Sequence, residues 1–276
     1  MFNGEASTGG QTVSGAIYVI TLDPDASRVR ALLGQLREQG LTGEIFRGVD
    51  GRAGMPALRP EERFCRWKAL ARHKRWLTSS EVGCYLSHLR AIRRAWEAGH
   101  DQVCILEDDV VLEPGFARVL AELGDDSELE LVRFMALRLR PRTVVRPLAN
   151  GHQLVRPKRG TVGTQGYRLN RAGMAKLLAH GSCLYEPIDK VMDHFWLYGL
   201  KTFLVEPHLI WERPSPSFVQ RPATPSRDPS WLQRVIHPLF KLYHSLRRHL
   251  YLLVHRREFA AASLPDSSVG KTPRLH

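Results

Sequence analysis

Val103-Cys104-Ile105-Leu106-Glu107-Asp108-Asp109 is the stretch on which the fold turns. Four apolar residues in a row between polar flanks read as a buried strand. Its carboxyl end delivers three adjacent carboxylates. These charges repel one another, and placing them directly behind a buried strand costs stability unless a cation neutralises them. Ligands of open α/β sheets bind at the carboxyl ends of strands, where this triplet sits. Acidic oxygens suit Mg²⁺ or Mn²⁺, which bind through one or two carboxylates plus substrate phosphates. A solvated acidic turn is the alternative reading of the same three residues.

Upstream, Thr78-Ser79-Ser80-Glu81 has the hydroxyl-to-glutamate spacing of a capping box. A helix follows, with Leu86, Leu89, Ile92 and Trp96 on one side and Gly99 as its stop. His88 stands one residue from that apolar stripe, as a boundary residue or as chemistry. Earlier still, Ala16-Ile17-Tyr18-Val19-Ile20 is a short strand and 27–39 a helix, and 44–49 holds a second strand. Strand, helix, strand at this spacing is a βαβ unit. Arg28 and Arg30 fall just past the first strand's carboxyl end. Arg28, nearer the turn, is the candidate phosphate ligand, and Arg30 reads as a solvated helix face. Residues 52–77 read as an irregular, partly helical excursion.

Downstream, 110–112 is a strand or turn, 116–123 a helix, and 129–139 contains a further strand. A hairpin or loop surrounds Asn150-Gly151. The glycine-punctuated run 160–167 leads into a helix over 170–180, and 187–198 is another helix before a last core strand at 203–205. Asp189 lies in a helix's first turn, where the dipole alone favours a carboxylate. The compact domain ends near Arg213, ahead of a proline-rich stretch.

The net charge of +12 selects for an anionic partner. Cys65, Cys84, Cys104 and Cys183 are widely spaced, without a CxxC pair, and read as buried free thiols in a reducing compartment. Residues 1–14 lack the basic and apolar regions of a secretory signal, and no run of about 18 apolar residues spans a membrane. Residues 231–257 alternate large apolar residues with Arg, Lys and His and contain no carboxylate. Such a helix lies on an anionic bilayer or packs on its own domain, and Pro238 weakens it as one continuous helix. The chain then divides into a flexible N-terminus (1–14), an α/β domain (15–215), a proline-rich linker (216–230), a basic amphipathic helical segment (231–258) and a flexible C-terminus (259–276).

Glu81-Val82-Gly83-Cys84-Tyr85-Leu86-Ser87-His88, followed by Leu106-Glu107-Asp108-Asp109, resembles the core blocks of glycosyltransferase family 25, the lipooligosaccharide and lipopolysaccharide glycosyltransferases related to collagen galactosyltransferases. Thr21-Leu22-Asp23 with Arg28, Val49-Asp50-Gly51, Gly163-Thr164-Gln165-Gly166-Tyr167 and Pro187-Ile188-Asp189 resemble further blocks in the same order. Thr21 stands where the family usually has Asn. The resemblance implies a GT-A fold, an α/β Rossmann-like nucleotide-sugar domain here followed by the basic amphipathic helical tail. It implies Mn²⁺ or Mg²⁺ on Asp109, Asp108 and Glu107, and a UDP-sugar donor held by Leu22, Asp23, Arg28, Asp50, Glu107 and Asp108. It further implies inverting transfer, commonly of galactose from UDP-galactose, to a lipid-linked or oligosaccharide acceptor, with Asp189 the candidate base and His88 the second.

A cytoplasmic location, peripheral to the inner face of a bacterial inner membrane, goes with that resemblance. Nucleic acid is not an expected partner, because no helix-turn-helix, zinc-finger or RNP-like pattern occurs and the basic residues are dispersed. Two rival readings remain: an inactive family member serving as a membrane-associated scaffold, and a metal-dependent nucleic-acid-binding or phosphotransfer protein.

Overall fold

Along the first strand the side chains alternate between two cores. In the computed structural model, which describes residues 15–73, 75–124, 126–213 and 231–265, β1 (Ala16–Thr21) is buried on both sides. It sends Ile17 and Val19 to one apolar cluster and Tyr18 and Ile20 to the other. That period of two is what a strand between two helical layers requires.

The chain continues through α1 (Ser27–Glu38), β2 (Glu44–Arg47), β3 (Arg63–Phe64), α2 (Arg66–His73), α3 (Ser79–Glu97), β4 (Gln102–Glu107), β5 (Val110–Leu112), α4 (Phe116–Leu123) and β6 (Leu131–Arg133). The hairpin β7 (Arg142–Pro147) and β8 (Gln153–Pro157) precedes β9 (Gly166–Asn170), α5 (Arg171–Gly181), β10 (Cys183–Leu184), α6 (Ile188–Asp193), β11 (Thr202–Glu206) and β12 (Ile210–Glu212). The last helix is α7 (Trp231–Val254). Eight strands form one mixed sheet in the order β2-β1-β4-β9-β6-β11-β8-β7. β1 pairs parallel with both β2 and β4, which is the expected βαβ start. Helices α3 and α5 cover one face through Leu86, Leu89, Ile92, Met174 and Leu177. Helices α1 and α4 cover the other through Leu32, Leu36, Phe116 and Val119. This architecture has the α/β class expected from the sequence.

Several local expectations hold. Thr78 Oγ1 accepts from Glu81 N, and the Glu81 carboxylate accepts from Thr78 N at 2.8 Å, closing the capping box. The β7–β8 turn places Asn150 and Gly151 at positive φ, 56° and 75°.

Four expectations are corrected. First, 166–170 forms a strand that the sequence did not announce, although the expected helix does follow it directly as α5, capped by Asn170. β9 lies antiparallel between β4 and β6, and its alternation is hidden because Arg168 is buried with Tyr167 and Leu169. The guanidinium is satisfied by Gln102 Oε1, Leu129 O and Gly124 O, which makes that burial tolerable.

Second, Cys65 and Cys183 are not free thiols. β3 and β10 pair in parallel, bring the two Cα atoms to 5.6 Å and close a disulfide across 118 residues. Only Cys84 and Cys104 are free. Third, α7 runs through Pro238 without interruption.

Fourth, 259–276 is not a free tail throughout. Phe259 is buried, and Ser263 exchanges backbone hydrogen bonds with Arg142 at 2.9 and 3.0 Å. The N-terminal segment 1–14, the linker and residues 266–276 lie outside the described residues.

Helix α7 packs on the domain by one face. His237 Nδ1 meets Ala71 O at 2.9 Å, His244 is buried, and Tyr251 Oη accepts from Arg156 at 3.1 Å. No described helix is long and apolar enough to cross a membrane.

Candidate active site

The carboxyl ends of β1 and β4 open into a cavity of about 290 Å³. Ile20, Thr21, Leu22, Asp23 and Arg28 line it from β1 through the start of α1, and Glu107, Asp108 and Asp109 from the end of β4 and the turn after it. Ser80, Cys84, Ser87 and His88 come from α3, and Val49, Gly51 and Arg52 from the loop after β2.

Close backbone approach explains two of the glycines in these segments. A Cβ on Gly83 would lie 2.6 Å from Val49 O and 2.8 Å from Gly51 N, and one on Gly51 would lie 2.0 Å from Ser79 O. Helix α3 therefore presses directly on the 49–51 loop. Ser87 Oγ completes the join, accepting from Val49 N and donating to Gly83 O, each at 2.7 Å.

The three carboxylates diverge. Glu107 Oε1 accepts from Thr164 Oγ1 at 2.5 Å and faces His88 Nε2 at 3.3 Å, while His88 Nδ1 meets Tyr167 Oη at 3.0 Å. Burial opposes ionisation of Glu107, but its bonds with His88 and Thr164 outweigh burial and hold the carboxyl below its ordinary range. The same burial, with Glu107 nearby, pushes the Tyr167 hydroxyl up.

Asp108 Oδ2 accepts from Thr21 Oγ1 and pairs with Arg28 at 3.0 Å. Thr21 thereby does local work in place of the family's Asn. Asp109 has no such cation. Burial, then Glu107, Glu212 and Asp108, push its carboxyl up to about 7. Its Oδ1 is buried without a hydrogen-bond partner.

Among the described residues no three His, Cys, Asp or Glu side chains converge on one point. A Mg²⁺ or Mn²⁺ site completed by substrate phosphate needs only one or two carboxylates, and the orphaned Asp109 oxygen suits that chemistry.

Of the residues singled out in the sequence, Leu22, Asp23, Arg28, His88, Glu107, Asp108 and Asp109 line the cavity. Asp50 and Asp189 do not. Asp50 is exposed and paired with Arg52 at 2.6 Å, which holds its carboxyl down at about 2. Asp189 sits in the first turn of α6, its Oδ1 accepting from Lys190 N at 2.8 Å. Arg30 is exposed, as its helix position suggested.

Glu212, Arg52, Ser80 and Ser87 line the cavity without having been picked out. Glu212 reaches it because β12 pairs antiparallel with β5, setting Glu212 opposite Val110. Its segment, Ile210-Trp211-Glu212, carries no signal of that pairing.

The family model described as Glycosyltransferase family 25 (LPS biosynthesis protein) matches residues 15–192. A "Glycosyltransferase 25 family member" of Drosophila pseudoobscura pseudoobscura is 32% identical over 64% of this chain. "Procollagen galactosyltransferase 1" of Danio rerio is 26% identical over 71%, and a "Probable inactive glycosyltransferase 25 family member 3" of Bos taurus 28% over 70%. The matches take in 28%, 36% and 36% of those relatives' own lengths, so the chain spans about a third of each. Four of the ordered blocks, around Thr21, Val49, Cys84 and Glu107, meet at one cavity, and the family model covers more than half of the residues: the chain belongs to glycosyltransferase family 25.

Proposed function

We propose that this protein is an inverting hexosyltransferase that moves galactose from UDP-galactose to a lipooligosaccharide, lipopolysaccharide or related cell-surface glycan. The observation that carries the reading is Asp109, a half-buried residue just past the carboxyl end of β4 whose Oδ1 is buried and unpartnered, in one cavity with Arg28 and Arg52. The galactosyltransferase name of one relative and the lipopolysaccharide description of the family support the choice of donor and acceptor.

Mn²⁺ or Mg²⁺ held by Asp109 with Asp108 would supply positive charge against a departing diphosphate. Arg28 fixes the Asp108 carboxylate, and Arg52 adds a second cation to the wall. Glu107 stands apart from both. His88 and Thr164 keep it ionised and share its Oε1, which suits its second oxygen to take the proton of an attacking hydroxyl. Between the two bases expected from the sequence, the cavity favours His88, acting through Glu107, over Asp189.

UDP release from UDP-galactose, UDP-glucose, UDP-N-acetylglucosamine and UDP-N-acetylgalactosamine, with and without Mn²⁺, tests the reading. Metal-dependent release from UDP-galactose alone is expected. No release from any donor by a folded protein would leave the chain with its inactive relative. Glu107→Gln should keep donor affinity within about twofold and lower transfer at least about a hundredfold. Transfer at the wild-type rate would remove Glu107 from the proton step.

A further inference from the structure

We propose that α7 lies in the plane of an anionic phospholipid bilayer while it stays docked on the catalytic domain. The leucine stripe that points away from the domain would enter the acyl region, with the exposed cations of the helix reaching the headgroups.

The helix has two opposed faces. His237, His244 and Tyr251, spaced by seven residues, belong to the docked one. Val235, Leu239, Leu242, Leu246, Leu250 and Leu253 recur at intervals of three and four and are 53% to 64% exposed. With a rise of 1.5 Å per residue, that stripe runs for roughly 27 Å. Single exposed apolar residues are ordinary on a protein surface, but a continuous line of them marks a contact. Trp67 of α2, also exposed, stands edge-on to Phe240 of α7 and widens the apolar surface beside the stripe.

Charge selects the occupant. No Asp or Glu occurs in α7, whereas Arg234, Lys241 and Arg247 are exposed on it and Arg256 and Arg257 just beyond its end. A second copy docking helix against helix would set these cations against one another. An anionic headgroup layer neutralises them, and each basic residue near such a surface adds to the attraction. With no described helix able to cross the bilayer, the contact is interfacial. The sequence left membrane binding and packing on the domain as alternatives; the two faces of α7 allow both.

Flotation of the full chain with vesicles tests this. Binding to phosphatidylcholine containing roughly a third phosphatidylglycerol should exceed binding to phosphatidylcholine alone at least about tenfold and fall as salt rises. Leu239→Gln, Leu246→Gln and Leu250→Gln together alter only the outward stripe. They should cut binding to the anionic vesicles at least about tenfold and leave the melting temperature unchanged. Equal binding by wild type and triple variant overturns the proposal, as does failure of the folded wild type to bind anionic vesicles. A wild-type dimer that the triple variant converts to monomer, with neither protein on vesicles, would give the stripe to a second copy.

Discussion

Asp109→Asn should lose at least about a thousandfold in turnover and yet melt about 5 °C higher than wild type at pH 8 in the absence of divalent cations. The two effects have one origin. Burial and the neighbouring Glu107, Glu212 and Asp108 raise the folded-state pKa of Asp109 to about 7, against about 3.9 for an unfolded aspartate. The folded chain thus holds this proton more tightly than the unfolded chain. That contribution to stability is complete below about pH 4 and is lost as pH rises through about 7.

Above pH 7 the cation-free protein carries the repulsion in full, about 2 kcal/mol once partial solvation is allowed for. Asn removes the charge and with it the penalty, so the variant's advantage should be present at pH 8 and vanish near pH 4. Calorimetry at the two pH values, beside a UDP-release assay, checks both halves. A melting difference independent of pH would show that charge is not the cause. Near-wild-type turnover by the folded variant would remove Asp109 from the diphosphate site.

The second large effect lies outside the cavity lining. Arg133 on β6 is 1% exposed. It donates to Gly163 O at 2.6 Å and Asp189 O at 3.3 Å and pairs with Asp193 at 3.0 Å. It therefore ties the 161–165 loop to α6. That loop needs the tie, since Val162 is held at a φ of 62°, an unfavourable region for a β-branched residue. Asp193 helps by accepting from Val162 N at 3.2 Å.

Burial raises the Asp193 pKa, and Arg133 is the chief group opposing it. Arg133→Met strands that carboxylate and should cost about 3–5 kcal/mol in urea denaturation. Turnover should fall as well, because the same loop brings Thr164 to Glu107. Adding Asp193→Asn should recover a large part of the lost stability. A double variant no more stable than Arg133→Met would show that the stranded charge is not what the single change exposes.

The frame of the site was legible where local physics dominates. The strand before Glu107, the capping box at Thr78 and the βαβ start each follow from residues close in sequence. What escaped depends on pairing between distant segments. β9 was hidden because its buried arginine breaks the apolar pattern, and only the facing carbonyls and Gln102 explain why that arginine is tolerated. The Cys65–Cys183 bond follows from a parallel pairing of two-residue strands that no spacing announces. Glu212 belongs to the cavity solely through the β5–β12 ribbon. Asp189 shows the converse: a residue in a recognisable block can serve the architecture, here offering its carbonyl to Arg133.

The contact of Gly51 with Gly83 limits how this cleft can diversify. Backbone atoms fill the space where either side chain would begin, so neither position can be varied to reshape the chamber without separating α3 from its neighbour. Leu22, Arg52, Ser80 and Glu212 line the same cavity with side chains that can be exchanged. A library aimed at a new donor sugar would concentrate on those four positions and leave the two glycines fixed.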